Sequence, residues 1–430
     1  MQGIESEVHN EVIRRFFEIT SQNDSVTDGM TGLPRSLQKD WGSSPAFSVT
    51  PTAIEQIPKI VELAEHEKLA IIPVGGKNQL YCGQPPSTQR PYLFLQTSEL
   101  NKVLDHQPDD LTITCEAGVT LQAVEEALAP HRQTLALDGP LPGSSTVGGL
   151  AATATAGFRR YAYGTPRDSI IGLKAVMSGG TTVKGGGKVV KNVAGYDVCK
   201  LFTGSWGSVG VLTEVTFKVR PCPETHSALI WHTDSLAMAV SAGFRLHLSG
   251  VRPTIATAFH TESRSALLCS FEGTSERVAW QLQEAERLIR SYGLTTTAQH
   301  ASDGDLDRLR DLPATYAPVA TIAARIACLP ADAEATTARL ISFDPNSLII
   351  DCTVGAIAVS FGPNSAVTGT QIKSILPGSA NCVFTVLPNC GNANRSSDRF
   401  WDNSRADASL QRLLKANLDP LGTFSPDRFV

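Results

Sequence analysis

The sequence predicts an α+β fold in more than one domain. β-type and helical patterns alternate from about Trp41 to Pro223, and beyond Pro223 longer helical patterns interleave with apolar, strand-like runs. The length of 430 residues, 42% of them apolar, is enough to bury a large core. The formal net charge is −5, and no basic block is interleaved with aromatics, which argues against nucleic acid as a partner. No apolar run approaches the length of a membrane span, and the N-terminus "MQGIESEVHN" is acidic where a secretory signal would be basic, so a cytoplasmic protein with no transmembrane segment is expected. The nine cysteines are scattered and never spaced Cys-x-x-Cys. They predict neither a disulfide framework nor a metal or iron–sulfur site.

Element by element, residues 1–40 read as an N-terminal extension with one short amphipathic candidate, "NEVIRRFFEI", and then a Gly/Ser/Asp-rich stretch. Thr52 and Glu55 have capping-box spacing, and Ile54, Ile57, Val61 and Ala64 recur at helical spacing behind them. "LAIIPV" is a short strand that stops at Gly75-Gly76. Further strands are expected at "YLFLQ" and "LTITCEAG", a helix through "LQAVEEALAPH", and a Pro/Gly/Ser segment after it. "IIGLKAVM", Ser178-Gly179-Gly180 and "TTVKGG" predict a hairpin. "VGVLTEVTFKVRP" alternates, with Val215, Phe217 and Val219 on one face, and Pro221 ends it. These elements define a domain over 41–223. A second α+β domain covers 224–395, with patterns such as "ERVAWQLQEAERLIRSYG" and "NSLIIDCTVGAIAVSF", and a helix and tail fill 396–430.

Glycine is concentrated in three places in the first domain: Gly75-Gly76, the "GSSTVGG" stretch over 143–149, and "GSWGSVG" over 204–210. Such density means either tight turns or main chain pressed against a ligand. No G-x-G-x-x-G opens a helix and no G-x-x-x-x-G-K-[ST] occurs, so neither a Rossmann dinucleotide site nor a P-loop is predicted. Loops of successive backbone N–H groups remain, and these suit a pyrophosphate. Trp206, inside the third loop, is open to stacking on a ligand or to packing against the second domain. Tyr196 and Asp197 are expected to close the "NVAGYD" turn. Lys184, Lys188, Lys191 and Lys200 make this stretch locally basic, either as a solvated loop or as an attractor of phosphate.

Three motifs and the chain terminus carry a resemblance. The order strand-Pro-x-Gly-Gly, "GSSTVGGLAATATAG", "VVKNVAGYDVCKLFTGSWGSVGVLTEVTFKVRP" and a terminal "LDPLGTFSPDRF" resembles the FAD-binding domain family of vanillyl-alcohol oxidase and p-cresol methylhydroxylase. Within it, the chain looks most like the FAD-binding second subunits of bacterial glycolate oxidases (glycolate dehydrogenases). The resemblance implies a two-subdomain FAD-binding domain followed by a smaller cap-like α+β domain, with the C-terminal tail returning to the FAD domain. It places the FAD pyrophosphate on Val74, Gly75, Gly76, Lys77, Asn78 and Gln79, and the ribityl chain and flavin near Leu141, Thr146, Gly148, Gly149, Ala152 and Ala156. The adenine falls on the backbone of Val211 or Leu212, and Arg428 either turns its charge to the flavin or the core or forms a structural salt bridge. Lys77 stands where relatives carry a second glycine. Asn78 or a neighbour stands where some relatives carry a flavin-linked histidine, which implies non-covalent FAD.

The family's activity implies oxidation of a small 2-hydroxy acid, glycolate or D-lactate, to the 2-oxo acid. Single-chain relatives place a histidine-containing Gly-Asp-Gly-Asn element in the C-terminal third. This chain has none, and its last histidine is His300, so no catalytic residue is named. Together with the missing cysteine ligand sets, that implies a subunit dependent on a second flavoprotein subunit and an iron–sulfur subunit, through which peripheral membrane association would run. A stand-alone FAD-dependent dehydrogenase and a degenerate flavin-fold scaffold are the competing readings.

Overall fold

The computed structural model describes residues 2–21, 25–27, 47–84, 90–188, 196–261, 264–316, 322–362, 365–378, 380–386 and 408–429. Three larger sheets organise them, beside a two-stranded ladder of Gln133–Thr134 and Arg220–Pro221. The first has the order Val26–Thr27, Phe47–Val49, Tyr92–Gln96, Ala70–Val74, with the last three strands parallel. Parallel strands need both faces covered, and these are nearly all apolar. The helix Gln56–His66 lays Ile57, Ile60, Val61, Leu63 and Ala64 against one face. The expected Thr52/Glu55 capping box does not form. Instead the Gln56 side-chain carbonyl accepts from the backbone N–H groups of Thr52 and Ala53. The N-terminal helix Gln2–Thr20 drives Phe16 into the same core, 5.2 Å from the Phe47 ring.

The second sheet is antiparallel, in the order Val103–Gln107, Thr112–Glu116, Val211–Lys218, Ile170–Val176, Thr182–Gly186. Its inner face packs Ile113, Cys115, Leu173, Val215 and Phe217 against the helices Leu121–Leu128 and Val147–Thr153. The predicted hairpin turn at 178–180 also joins the two subdomains. Ser178 Oγ and Gly179 N–H donate to the Glu65 carboxylate of the first subdomain's helix, at 2.7 and 2.9 Å. Residues 189–195, which include all of "KNVAG", lie outside the described residues.

The third sheet is an eight-stranded antiparallel layer, in the order Gln299–Ala301, Thr225–Thr233, Arg264–Gly273, Ile255–Thr261, Ser347–Asp351, Ala356–Phe361, Ile322–Ala327, Asn381–Val386. The run "NSLIIDCTVGAIAVSF" is thus two strands, turned at Gly355 with φ 70°. Alternation sorts the faces: Leu348, Ile350, Ile357, Val359 and Phe361 join the core beneath the helices Leu236–Leu248, Ser275–Ser291, Ala333–Ile341 and Gly369–Ile375. The opposite face carries Ile349, Ala358 and Leu268. It meets the helix Asp303–Tyr316 through Leu309 and Leu312, and it meets Phe158 of the first domain.

The helix Ala408–Leu418 leads into a tail that rejoins the first sheet. Ile71 N–H donates to Thr423 O at 2.7 Å, and Ser425 N–H to Ile71 O at 2.8 Å. Among the described residues no cysteine is bridged, no acidic, histidine or cysteine cluster is placed to hold a metal, and no helix is long and apolar enough to cross a membrane.

Candidate functional site

The three glycine elements converge although they lie far apart in sequence. The strand Ala70–Val74 ends in Gly75-Gly76, and this turn packs directly on the segment 144–146. A β-carbon on Gly75 would overlap Thr146 Oγ1, and one on Gly76 would overlap the Ser144 carbonyl. Bareness here lets backbone meet backbone. Thr146 then caps the helix Val147–Thr153, its Oγ1 accepting from Gly149 N–H at 3.1 Å. Gly148 lies on Ala117: its N–H donates to Ala117 O at 2.8 Å, and a side chain would press on the Ala117 methyl. Gly149 differs, because an added β-carbon there would meet only Thr146 Oγ1, at 3.0 Å. In the third loop Gly207, at φ 65°, closes on the Pro73 ring.

These contacts enclose a cleft of about 960 Å³, open at its mouth. Of the residues predicted to hold cofactor, Val74, Gly75, Gly76, Lys77, Asn78, Gln79, Thr146, Gly148, Gly149, Ala152, Val211, Leu212 and Arg428 line it. Leu141 and Ala156 do not. Leu141, at φ 52°, begins a turn whose carbonyl accepts from Ser144 and Ser145 N–H, and its own N–H donates to Asp311 Oδ1 of the second domain at 2.8 Å. Past the left-handed Ala154, Thr155 lines the cleft while its neighbour Ala156 does not.

Trp206 and Phe429 were missed as a pair. Trp206 lines the cleft and packs on Phe429 of the tail, with centroids 5.1 Å apart at 32°. The tryptophan in a glycine loop was visible in the sequence. Its partner, more than two hundred residues on, had no signal. Tyr196 is 97% exposed, and Asp197 caps the helix Val198–Phe202 through Lys200 N–H at 3.1 Å. Lys188 and Lys200 pair with Asp105 and Asp197, and neither reaches the cleft.

Among the described residues no Asp, Glu or His lines the cleft, whereas Lys77 and Arg428 do. Lys77 is half-buried, makes no ion pair or side-chain hydrogen bond to a described residue, and has its ammonium pKa lowered by burial. Arg428 is buried. Its Nη2 donates to the carbonyls of Leu80 at 3.1 Å and Cys82 at 2.8 Å, and burial lowers its pKa to about 10. A long cleft with bare walls and two cations, and with no acid among its described lining residues, fits an extended anionic ligand such as a dinucleotide.

A second cavity, of about 530 Å³, adjoins the cleft through Asn78 and Gln79 and opens between the first glycine loop and the third sheet. Asn78 Nδ2 donates to Ser144 Oγ at 3.0 Å and Ser145 Oγ at 2.9 Å, so its side chain braces the two loops. Gln79 Oε1 accepts from Arg325 Nη2 of the second domain at 2.9 Å.

Sheet order, glycine-walled cleft and cations together define a flavoprotein-type dinucleotide domain. Residues 45–186 match the family described as FAD binding domain, and FAD is the cofactor. The chain is 31% identical over 216 residues to a D-2-hydroxyglutarate dehydrogenase of Xanthomonas citri pv. viticola, covering 50% of this chain and 45% of that one. It is 34% identical over 170 residues to glycolate oxidase subunit GlcE of Escherichia coli, covering 39% of this chain and 47% of the relative. The matches thus span about half the length of these relatives. A crystal structure of p-cresol methylhydroxylase with substrate bound superposes with a TM-score of 0.71 at 14% identity over 97% of this chain and 96% of that one, which shows the predicted fold.

Proposed function

We propose that the chain is the FAD-binding subunit of a glycolate oxidase-type complex in the cytoplasm, oxidising a small 2-hydroxy acid such as glycolate or D-lactate to the 2-oxo acid. The observation that carries this reading is the pairing of the acid-free cleft with a smaller cavity that shares Asn78 and Gln79 with it. A substrate in the small cavity would lie next to a cofactor in the large one.

FAD, when bound, supplies a two-electron acceptor for the hydrogen lost from the substrate carbon. The chain's own residues do the rest. Gly75, Gly76 and Thr146 set the floor of the cleft, and Gly148 and Gly149 keep the start of the helix Val147–Thr153 bare beside it. Lys77 and Arg428 offset the negative charge of a pyrophosphate. Trp206 and Phe429 form an apolar wall that excludes water from one side. Asn78, already bonded to both serines, is no nucleophile toward a flavin, which supports non-covalent attachment.

The hydroxyl proton needs a base. No histidine or carboxylate of the described residues lines either cavity, and no histidine follows His300. This supports a complex in which a second flavoprotein subunit completes the proton transfer and an iron–sulfur subunit carries electrons onward. The test is native purification, acid release of the flavin, and glycolate-dependent dye reduction with and without the co-purifying subunits. One FAD released per chain, with turnover only in the complex, is expected.

A further inference from the structure

We propose that the cavity between the first glycine loop and the third sheet is a binding site for a small monocarboxylate, with Arg325 as its anchor. The assignment rests on the reading above only for the identity of the acid as a 2-hydroxy or 2-oxo acid.

Strand alternation builds the site. In Ile322–Ala327, Ile322, Ala324 and Ile326 enter the helix-side core, so Ala323 and Arg325 face the first domain. Ala356–Phe361 and Ser347–Asp351 alternate likewise, and their registers place Ala323 beside Ser360 and Ser360 beside Ser347. Arg325 pairs with Ala358, and Ala358 with Ile349. The result is a floor of small side chains with one long cation rising from it.

Arg325 has no carboxylate partner among the described residues, and no Asp, Glu or His lines the cavity. Its Nη2 is held by Gln79 Oε1, which also accepts from Cys82 Sγ at 3.4 Å, so the guanidinium is aimed before any ligand arrives. An enclosed cation without a counter-charge is costly, and an arriving carboxylate relieves that cost. A second observation points the same way. Ser360 is only 5% exposed and lines the cavity, yet its Oγ has no hydrogen-bond partner among the described residues. A buried hydroxyl without a partner is uncommon, and a ligand hydroxyl or carboxylate oxygen would satisfy it. One cation among the described lining residues suits one carboxylate. A dicarboxylate such as 2-hydroxyglutarate would leave its second charge unpaired, so the site favours a monocarboxylate of two or three carbons.

The experiment uses the FAD-loaded protein and two 2-oxo acid probes, glyoxylate and 2-oxoglutarate, followed by calorimetry and by perturbation of the flavin spectrum. Glyoxylate should bind the unmodified protein more tightly than 2-oxoglutarate. Arg325→Met should weaken glyoxylate on the order of 30-fold with FAD content unchanged, Arg325→Lys should restore part of the loss, and Ser360→Ala should weaken it about threefold. Failure of the unmodified protein to bind glyoxylate, equal affinity in Arg325→Met, or preference for 2-oxoglutarate would each overturn the proposal. Tight, Arg325-dependent glyoxylate binding with no flavin reduction by any 2-hydroxy acid, even in the complex, would instead overturn the proposed function and leave the site standing.

Discussion

Lys77 holds a φ of 64°, a left-handed conformation that disfavours a side chain by about 1 kcal/mol, at the position where the family motif has glycine. Its ammonium also lines the cleft without a partner acid. The two effects separate by substitution. Lys77→Gly should keep or slightly raise the melting temperature while weakening FAD several-fold, and Lys77→Met should weaken FAD without relieving the backbone. Equal FAD affinity in all three proteins would remove Lys77 from the cofactor site. The glycines divide in the same manner. Gly76→Ala drives a β-carbon into the Ser144 carbonyl and should cost about 2 kcal/mol of stability, seen in thermal melts. Gly149→Val, whose β-carbon meets little protein, should fold yet purify without flavin. Local sequence marked where bare backbone was needed. It was silent on whether the neighbour was ligand or protein, because Gly75 and Gly76 answer to residues 144–146, some seventy positions away.

At the scale of elements, the tail is the clearest case of structure set by distant contacts. Lys415 Nζ donates to Ser208 O at 2.5 Å and Phe424 O at 2.6 Å and pairs with Asp419, whose carboxylate in turn accepts from Thr423 and Phe424 N–H at 2.8 Å. Asp419 is buried, so Lys415→Met leaves an uncompensated charge and should cost about 3 kcal/mol. Hydrogen exchange should then rise first at 423–429, with loss of FAD following because Arg428 and Phe429 line the cleft. Unchanged protection there would mean that the tail docks by its apolar contacts alone. The helix 408–418 was legible from its periodicity, and Arg428 from its motif. The Trp206–Phe429 contact was not legible, since aromatic pairing across the molecule leaves no local pattern. The N-terminal helix likewise read as peripheral because burial of Phe16 depends on Phe47.

At the scale of the whole molecule, the alternation of strand and helix was sufficient to predict the α+β class, and the family resemblance carried by the glycine motifs and the terminus implied the flavoprotein fold. The small cavity was hidden, because it exists only where the third sheet faces the first loop. The juncture is tied by Arg160 to Asp351 at 3.2 Å and by Arg159 and Tyr163 to Glu272, which is nearly buried. Glu272→Ala strands Arg159 and should lower stability by about 3 kcal/mol. It should also weaken glyoxylate binding more than FAD binding, because the small cavity spans the juncture while the cleft lies mainly in the first domain. The central claim, an FAD-binding subunit whose 2-hydroxy acid chemistry is completed by partners, is tested most directly by glycolate-dependent dye reduction with the FAD-loaded chain alone and in its reconstituted complex. The account predicts turnover in the complex and little or none from the single chain. Full turnover by the chain alone, or none by the complex, would contradict it.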